Sequence, residues 1–144
     1  MILSALPAVM ALLATSSVAA APSTGSITVT VAGVRSADGL IHVDVCPQAN
    51  FLHACPWSAT APAQRGSVSV TLHGIPAGRY AVQAFQDANA NGDLDRGMFG
   101  IPKEGIGFSN DAMNKLKKPT FAVAAFDHGT ETQTIPVLLR YFLD

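Results

Sequence analysis

From Ser26 to Val34 the chain runs Ile27, Thr28, Val29, Thr30, Val31, and β-branched side chains alternating with period two specify a strand, because they pack well on a pleated surface. Leu40 to Cys46 repeats the pattern, with Ile41, Val43 and Val45 on one face and His42 and Asp44 on the other. Ser67–His73 and Arg79–Phe85 flank Gly74-Ile75-Pro76-Ala77-Gly78, and Thr120–Phe126 and Glu131–Leu139 flank Asp127-His128-Gly129-Thr130. Turn chemistry between neighbouring runs, including Ser36-Ala37-Asp38-Gly39, predicts that each pair forms a hairpin. Pro47–Gln64 lacks periodicity and reads as a loop with one helical turn. Beyond a short helix at Asn110–Leu116, no helical period is present. The expected fold is all-β, a single six- to eight-stranded antiparallel β-sandwich.

The first twenty residues are uncharged and largely apolar, and run into the small-residue stretch Ser16-Ser17-Val18-Ala19-Ala20-Ala21. That is the composition of a secretory signal peptide, with cleavage expected after Ala20, since a cut after Ala21 would leave Pro22 first. The run breaks at Thr15 and is too short to remain as a membrane anchor. No Lys or Arg precedes it, so a basic n-region would have to come from a start farther upstream. Residues 1–20 are read as the signal and 21–144 as the sandwich domain, expected to be periplasmic or secreted, with no membrane span in the mature form.

Export implies an oxidising compartment, and the two cysteines, Cys46 and Cys55, are predicted to form one disulfide. Their spacing fits neither a C-x-x-C redox pair nor a zinc site. The formal net charge is −1, which disfavours nucleic acid as a partner. Trp57, beside Cys55, is expected to pack on the disulfide rather than to stack on a sugar. His42, His53, His73 and His128 show no metal-ligand spacing, and Gly107-Phe108-Ser109-Asn110 lacks the second glycine of a nucleophile elbow. Lys115, Lys117 and Lys118 form the one basic cluster and read as solvated.

Asp87 to Lys118 is a long Gly- and Asn-rich excursion, and loops of that length are usually functional. Within it, Asp87-x-Asn89-x-Asn91-Gly92-Asp93-Leu94-Asp95 places oxygen side chains at loop positions 1, 3, 5 and 9 with glycine at 6, the opening of a calcium loop. Alternate residues of a tightly curling chain turn their oxygens inward, and Asp93 can offer its carbonyl. Position 12, a bidentate glutamate in an EF-hand, is Met98, so the expected carboxylate is Glu104, returned by the Gly-containing segment around it. The candidate metal ligands are therefore Asp87, Asn89, Asn91, Asp93, Asp95 and Glu104, for Ca²⁺. The same residues also satisfy ordinary turn chemistry, with Asp and Asn bonding nearby backbone amides.

Three blocks carry a family resemblance: Gly-Ile-Pro-Ala-Gly-Arg-Tyr-Ala-Val at 74–82, Asp-x-Asn-x-Asn-Gly-x-Leu-Asp at 87–95, and Gly-Ile-Pro-Lys-Glu-Gly-Ile-Gly-Phe-Ser-Asn at 100–110. Together they resemble the bacterial domain-of-unknown-function family 2141. The resemblance implies an exported prealbumin-like or immunoglobulin-like sandwich without an assigned reaction. It marks Asp87, Asn89, Asn91, Gly92, Asp95, Pro102, Glu104, Gly107 and Phe108 as characteristic, and it expects His where Gln86 stands. The functional expectation is a non-catalytic binding or structural module with a calcium-stabilised loop and a protein or glycan partner. The rival is a hydrolase using Asp87, Asp95 or Glu104 as acid and base on an extracellular glycan.

Overall fold

The computed structural model describes residues 2–15, 23–97 and 100–143. Residues 16–22, which hold the expected cleavage site, and Met98 lie outside these. Residues 2–15 form no helix or strand, and their side chains are exposed.

Among the described residues eight strands follow: β1 (Thr24–Val34), β2 (Leu40–Cys46), β3 (Trp57–Pro62), β4 (Gly66–Pro76), β5 (Gly78–Asp87), β6 (Ile106–Phe108), β7 (Phe126–His128) and β8 (Gln133–Leu138), with one short α-helix, α1 (Phe121–Ala124). They build two sheets, β4-β1-β8 and β3-β2-β5-β6, with β7 added beside β5. All pairings are antiparallel except β1 with β8, which run parallel.

Alternation determines what the sheets enclose. Ile27, Val29 and Val31 of β1, Ile41, Val43 and Val45 of β2, and Val82 of β5 are fully buried between the layers, joined by Val70, Leu72, Ile135 and Val137. Each such side chain contributes about 1.5–3 kcal/mol by leaving water, and their number is what holds the two layers together. The strands expected at Leu40–Cys46 and around residues 26–34, 67–73, 79–85 and 131–139 are all present.

The hairpins are not. β1 pairs with β4 and β8 while β2 pairs with β3 and β5, so the Ser36–Gly39 turn carries the chain from one sheet to the other. β4 and β5 likewise lie in different sheets, and β7 joins β5 while β8 joins β1. Burial explains this: consecutive amphipathic strands cover each other's apolar faces across the sandwich instead of sharing hydrogen bonds. Gly39 makes the first crossing possible. Its φ is +68°, and a Cβ there would sit 2.0 Å from the Asp87 carbonyl oxygen, so only glycine lets this turn press against the end of β5.

Three local expectations also change, the first being the short helix at Asn110–Leu116, where only a 3₁₀ turn at Ser109–Asp111 forms. Pro47–Gln64 holds a 3₁₀ turn at Gln48–Asn50 and the edge strand β3, whose alanines and terminal proline hide the strand pattern. Within Thr120–Phe126 the segment Phe121–Ala124 is helical, started by the Thr120 hydroxyl accepting from the Val123 N–H at 3.4 Å. A hydroxyl at the N-cap and two alanines favour the helical turn over the strand preference of Phe121 and Val123.

The five-stranded sheet is covered on both faces. Its outer face carries Cys46, Ala81, Phe85, Ile106 and Phe108, packed with Phe51, Met113, Ala124 and Phe121 into a second apolar cluster. The Cys46–Cys55 disulfide, with Cα atoms 5.1 Å apart, ties the 47–56 loop down on that face. Ser109, fully buried, pins the other cover: its hydroxyl accepts from the Val82 N–H at 2.9 Å and donates to the Ala124 carbonyl. Trp57 packs edge-on against Tyr80, 5.4 Å between ring centres, so its apolar partner belongs to the sandwich interior and not to the disulfide cluster.

Candidate functional site

The acidic loop leaves the end of β5. Asp87 is buried and accepts two backbone bonds, from the Asn91 N–H at 3.1 Å and the Gly92 N–H at 2.7 Å. The chain curls around it: Asn89 Oδ1 accepts from the Asn91 N–H at 3.3 Å, and Asn91 Oδ1 from the Asp93 N–H at 3.0 Å. Successive Asx turns of this kind follow from Asp and Asn at alternate positions, and Gly92, at φ +83°, supplies the left-handed residue on which the curl turns.

Asp95 closes the loop from the other side. Its two carboxylate oxygens accept from the side-chain amides of Asn89, at 2.7 Å, and Asn91, at 3.0 Å. The following segment then folds back: the Gly97 N–H donates to the Ile101 carbonyl at 2.7 Å, and the Lys103 N–H to the Asp95 carbonyl at 2.8 Å. The Gln86 N–H donates to the Gly105 carbonyl at 3.0 Å, which sets the next residue back, Glu104, beside the start of the loop as well as its end. The return of Glu104 expected from the sequence is therefore present.

The carboxyls perturb one another. Burial, the hydrogen bond to Asp95 and the charges of Asp95 and Asp87 push the Glu104 carboxyl up to about 7. Hydrogen bonds from Glu104 and Asn91 lead in holding Asp95 below the usual carboxylate range, with Asn89 and Lys103 adding to them. As two carboxylates the pair repels; protonating Glu104 makes donor and acceptor of them. Glu104 Oε2 is buried without a hydrogen-bond partner, which adds to the cost of ionising this carboxyl.

Of the six expected ligands, Asp87, Asn89, Asn91, Asp95 and Glu104 are in this one cluster, while exposed Asp93 adds its N–H to it. Among the described residues, no three acidic, histidine or cysteine side chains are already arranged around one metal position. The reason is visible in the bonds: Asp87 and Asp95 spend their oxygens on amides of the loop.

A second polar cluster was not legible as a unit. On the outer face of β2 and its neighbours, His42 Nε2 lies 3.0 Å from Asp44 Oδ1 and 3.1 Å from the Ser58 hydroxyl. Gln83 Nε2 donates to Asp44 Oδ2 at 3.0 Å. Serine and aspartate share the same ring nitrogen, so they do not form the relay of a catalytic triad, which needs one on each side of the imidazole. Positions 42 and 44 lie two apart on a strand, and that period was the available signal.

Gln86, in the place where the family resemblance expects His, is buried. Its amide reaches the Ser36 and Asp38 carbonyls at 3.1 and 3.0 Å, which makes it a brace for the 36–39 turn. His128 is buried between Gln133 and the Ile75 carbonyl, and His73 bonds Ser26.

Fold and site together define a small β-sandwich with one sheet covered on its outer face and one acidic loop at a strand end. A family model described as an uncharacterized protein conserved in bacteria (DUF2141) matches residues 29–136, and the chain belongs to that family. No curated protein and no solved structure matches it.

Proposed function

We propose that this is an exported binding or structural module whose 87–104 loop takes up Ca²⁺, and that the ion stabilises the loop for engagement of a protein or glycan partner. The observation that carries the reading is the gathering of Asp87, Asp95 and Glu104 by backbone ties, with a buried, unpartnered oxygen on Glu104. Three carboxyls with Lys103 the one cation acting on Asp95 leave an excess of negative charge that a hard divalent cation offsets. Uptake would exchange the amide donors on Asp95 for the ion. A flip of the Asn89 and Asn91 side chains would then present oxygen where nitrogen now stands.

Export is supported by the exposed apolar segment, in which Ile2, Leu3, Leu6, Leu12 and Leu13 are each more than 90% exposed. A folded domain does not keep such a segment unburied, whereas a signal peptide is removed. The disulfide fits the same periplasmic or secreted setting. Among the described residues no helix is long and apolar enough to cross a membrane. Glycan hydrolysis is the weaker reading, because none of the three acids lines the cavity of about 630 Å³ on the outer face of the five-stranded sheet, and a substrate would have to lie between them.

Isothermal titration of Ca²⁺ into the chelator-treated domain tests the ion claim. Saturable one-site binding with Kd of roughly 10⁻⁴ to 10⁻³ M is expected, lost in Asp95→Ala. No heat beyond dilution up to ten times that range would overturn it.

A further inference from the structure

The outer face of the five-stranded sheet holds a cavity of about 630 Å³. Phe85 and Phe108 floor it, Phe51 and Leu52 of the disulfide loop form one wall, and Leu94 and Met113 form others. This is the size and character of a site for a small apolar ligand.

Its polar groups are already committed. Gln83 accepts from the Leu52 N–H at 2.9 Å and donates to Asp44 and to the His53 carbonyl. Asp44, the one acid lining the cavity, is held by His42 and Gln83. The floor is a sheet face and not an edge, so it offers no backbone ladder to a peptide. What remains is at the mouth: Arg96, which also donates to the Gly100 carbonyl at 2.9 Å, Lys117, Lys118 and the His53 ring line it, all exposed, beside Leu116, which is 52% exposed. Walls that are mostly apolar, with Gln83 and Asp44 bonded to each other and to their neighbours, under a rim that carries three cations, complement a molecule with an apolar body and one anionic end.

Leu52 gives a second, independent sign. It holds φ at +69°, a conformation that costs a residue with a side chain on the order of 1–3 kcal/mol and that gathers at ligand clamps. Its bond to Gln83 keeps it there, against the cavity.

We propose that this cavity binds a single-chain anionic amphiphile, a fatty-acid carboxylate, with its tail against Phe85, Phe108 and Met113 and its head among Arg96, Lys117 and Lys118. The lysines that the sequence presents as solvated thereby acquire a role. The proposal is independent of calcium uptake by the 87–104 loop.

The test is an NMR titration of the oxidised domain with octanoate, decanoate and dodecanoate below their micelle concentrations, in chelator and again in Ca²⁺. Acetate and decyltrimethylammonium serve as head-only and opposite-charge controls. Saturable shifts confined to the cavity residues are expected in either buffer, with affinity rising up to about fourfold per added methylene and no response to acetate. The exposed double change Lys117→Glu, Lys118→Glu should weaken decanoate by roughly tenfold, with the core signals unmoved. Equal binding of decanoate and decyltrimethylammonium, shifts that do not depend on tail length, or no saturation would each overturn the proposal. So would preference for an extended acidic peptide over decanoate.

Discussion

Single residues decide how the two polar clusters behave with pH. The hydrogen bond to Asp44 leads in raising the His42 imidazole above 6.5, with the charges of Asp44 and Asp87 adding to it against the cost of burial. Burial pushes the Asp44 carboxyl up, but the bonds from His42, Gln83 and Ser58 together outweigh it and hold the group below 3.8. The histidine's contribution to stability is thus full below 6.5 and lost as pH rises through its folded value. The aspartate's is full above 3.8 and lost as pH falls through its own. The pair contributes most between those limits. A ring-proton titration should place the His42 midpoint above 6.5, and Asp44→Asn should lower it; an unmoved midpoint would show that the contact carries no charge. Residue-level reading of the sequence made the curl of the acidic loop legible, since Asp87, Asn91 and Asp95 bond to one another across it, while their part in holding an ion is a proposal. It missed His42 with Asp44 and Ser58, because Ser58 arrives from a strand that the sequence conceals.

At the level of elements, strands bearing β-branched alternation were legible and their partners were not. A turn such as Ser36–Gly39 announces a reversal, but whether the chain turns beside itself or across to the other sheet is settled by which apolar faces meet. β3 escaped notice because Ala59, Ala61 and Pro62 carry little β preference, and α1 because its start lies in one threonine hydroxyl. The disulfide was readable from the presence of two cysteines and the expectation of export. Its contribution follows from the short loop it closes: replacing both Cys46 and Cys55 by Ala should cost on the order of 2–3 kcal/mol, seen as a lower urea midpoint with an unchanged slope. A loss below about 0.5 kcal/mol would mean that apolar packing of Phe51 alone secures the 47–56 loop.

Across the whole molecule, the sandwich core is joined by a second apolar cluster on the outer face of the five-stranded sheet. One sheet is buried on both sides, and its outer layer is assembled from the disulfide loop, the acidic loop and the segment before β7. No periodicity in the sequence reports a cavity between three such loops, since its walls come from residues more than sixty positions apart, Phe51 and Met113 among them. The acidic loop serves this architecture as well as its own chemistry, for Leu94 and Arg96 line the cavity while Asp87 and Asp95 face the other way into the cluster of oxygens. A loop that brings three carboxyls together is most stable when their charge is offset, and that is the role proposed for Ca²⁺.

Thermal unfolding of the oxidised mature domain, in chelator and then in about 10 mM Ca²⁺, beside Asp87→Ala, Asp95→Ala, tests that role most directly. Ca²⁺ at roughly ten times Kd should stabilise the folded state by about 1.4 kcal/mol, a rise in Tm on the order of 5 °C for a domain of this size, absent from the double variant. An identical Tm in chelator and in Ca²⁺ would contradict the account and leave the 87–104 loop as turn chemistry alone.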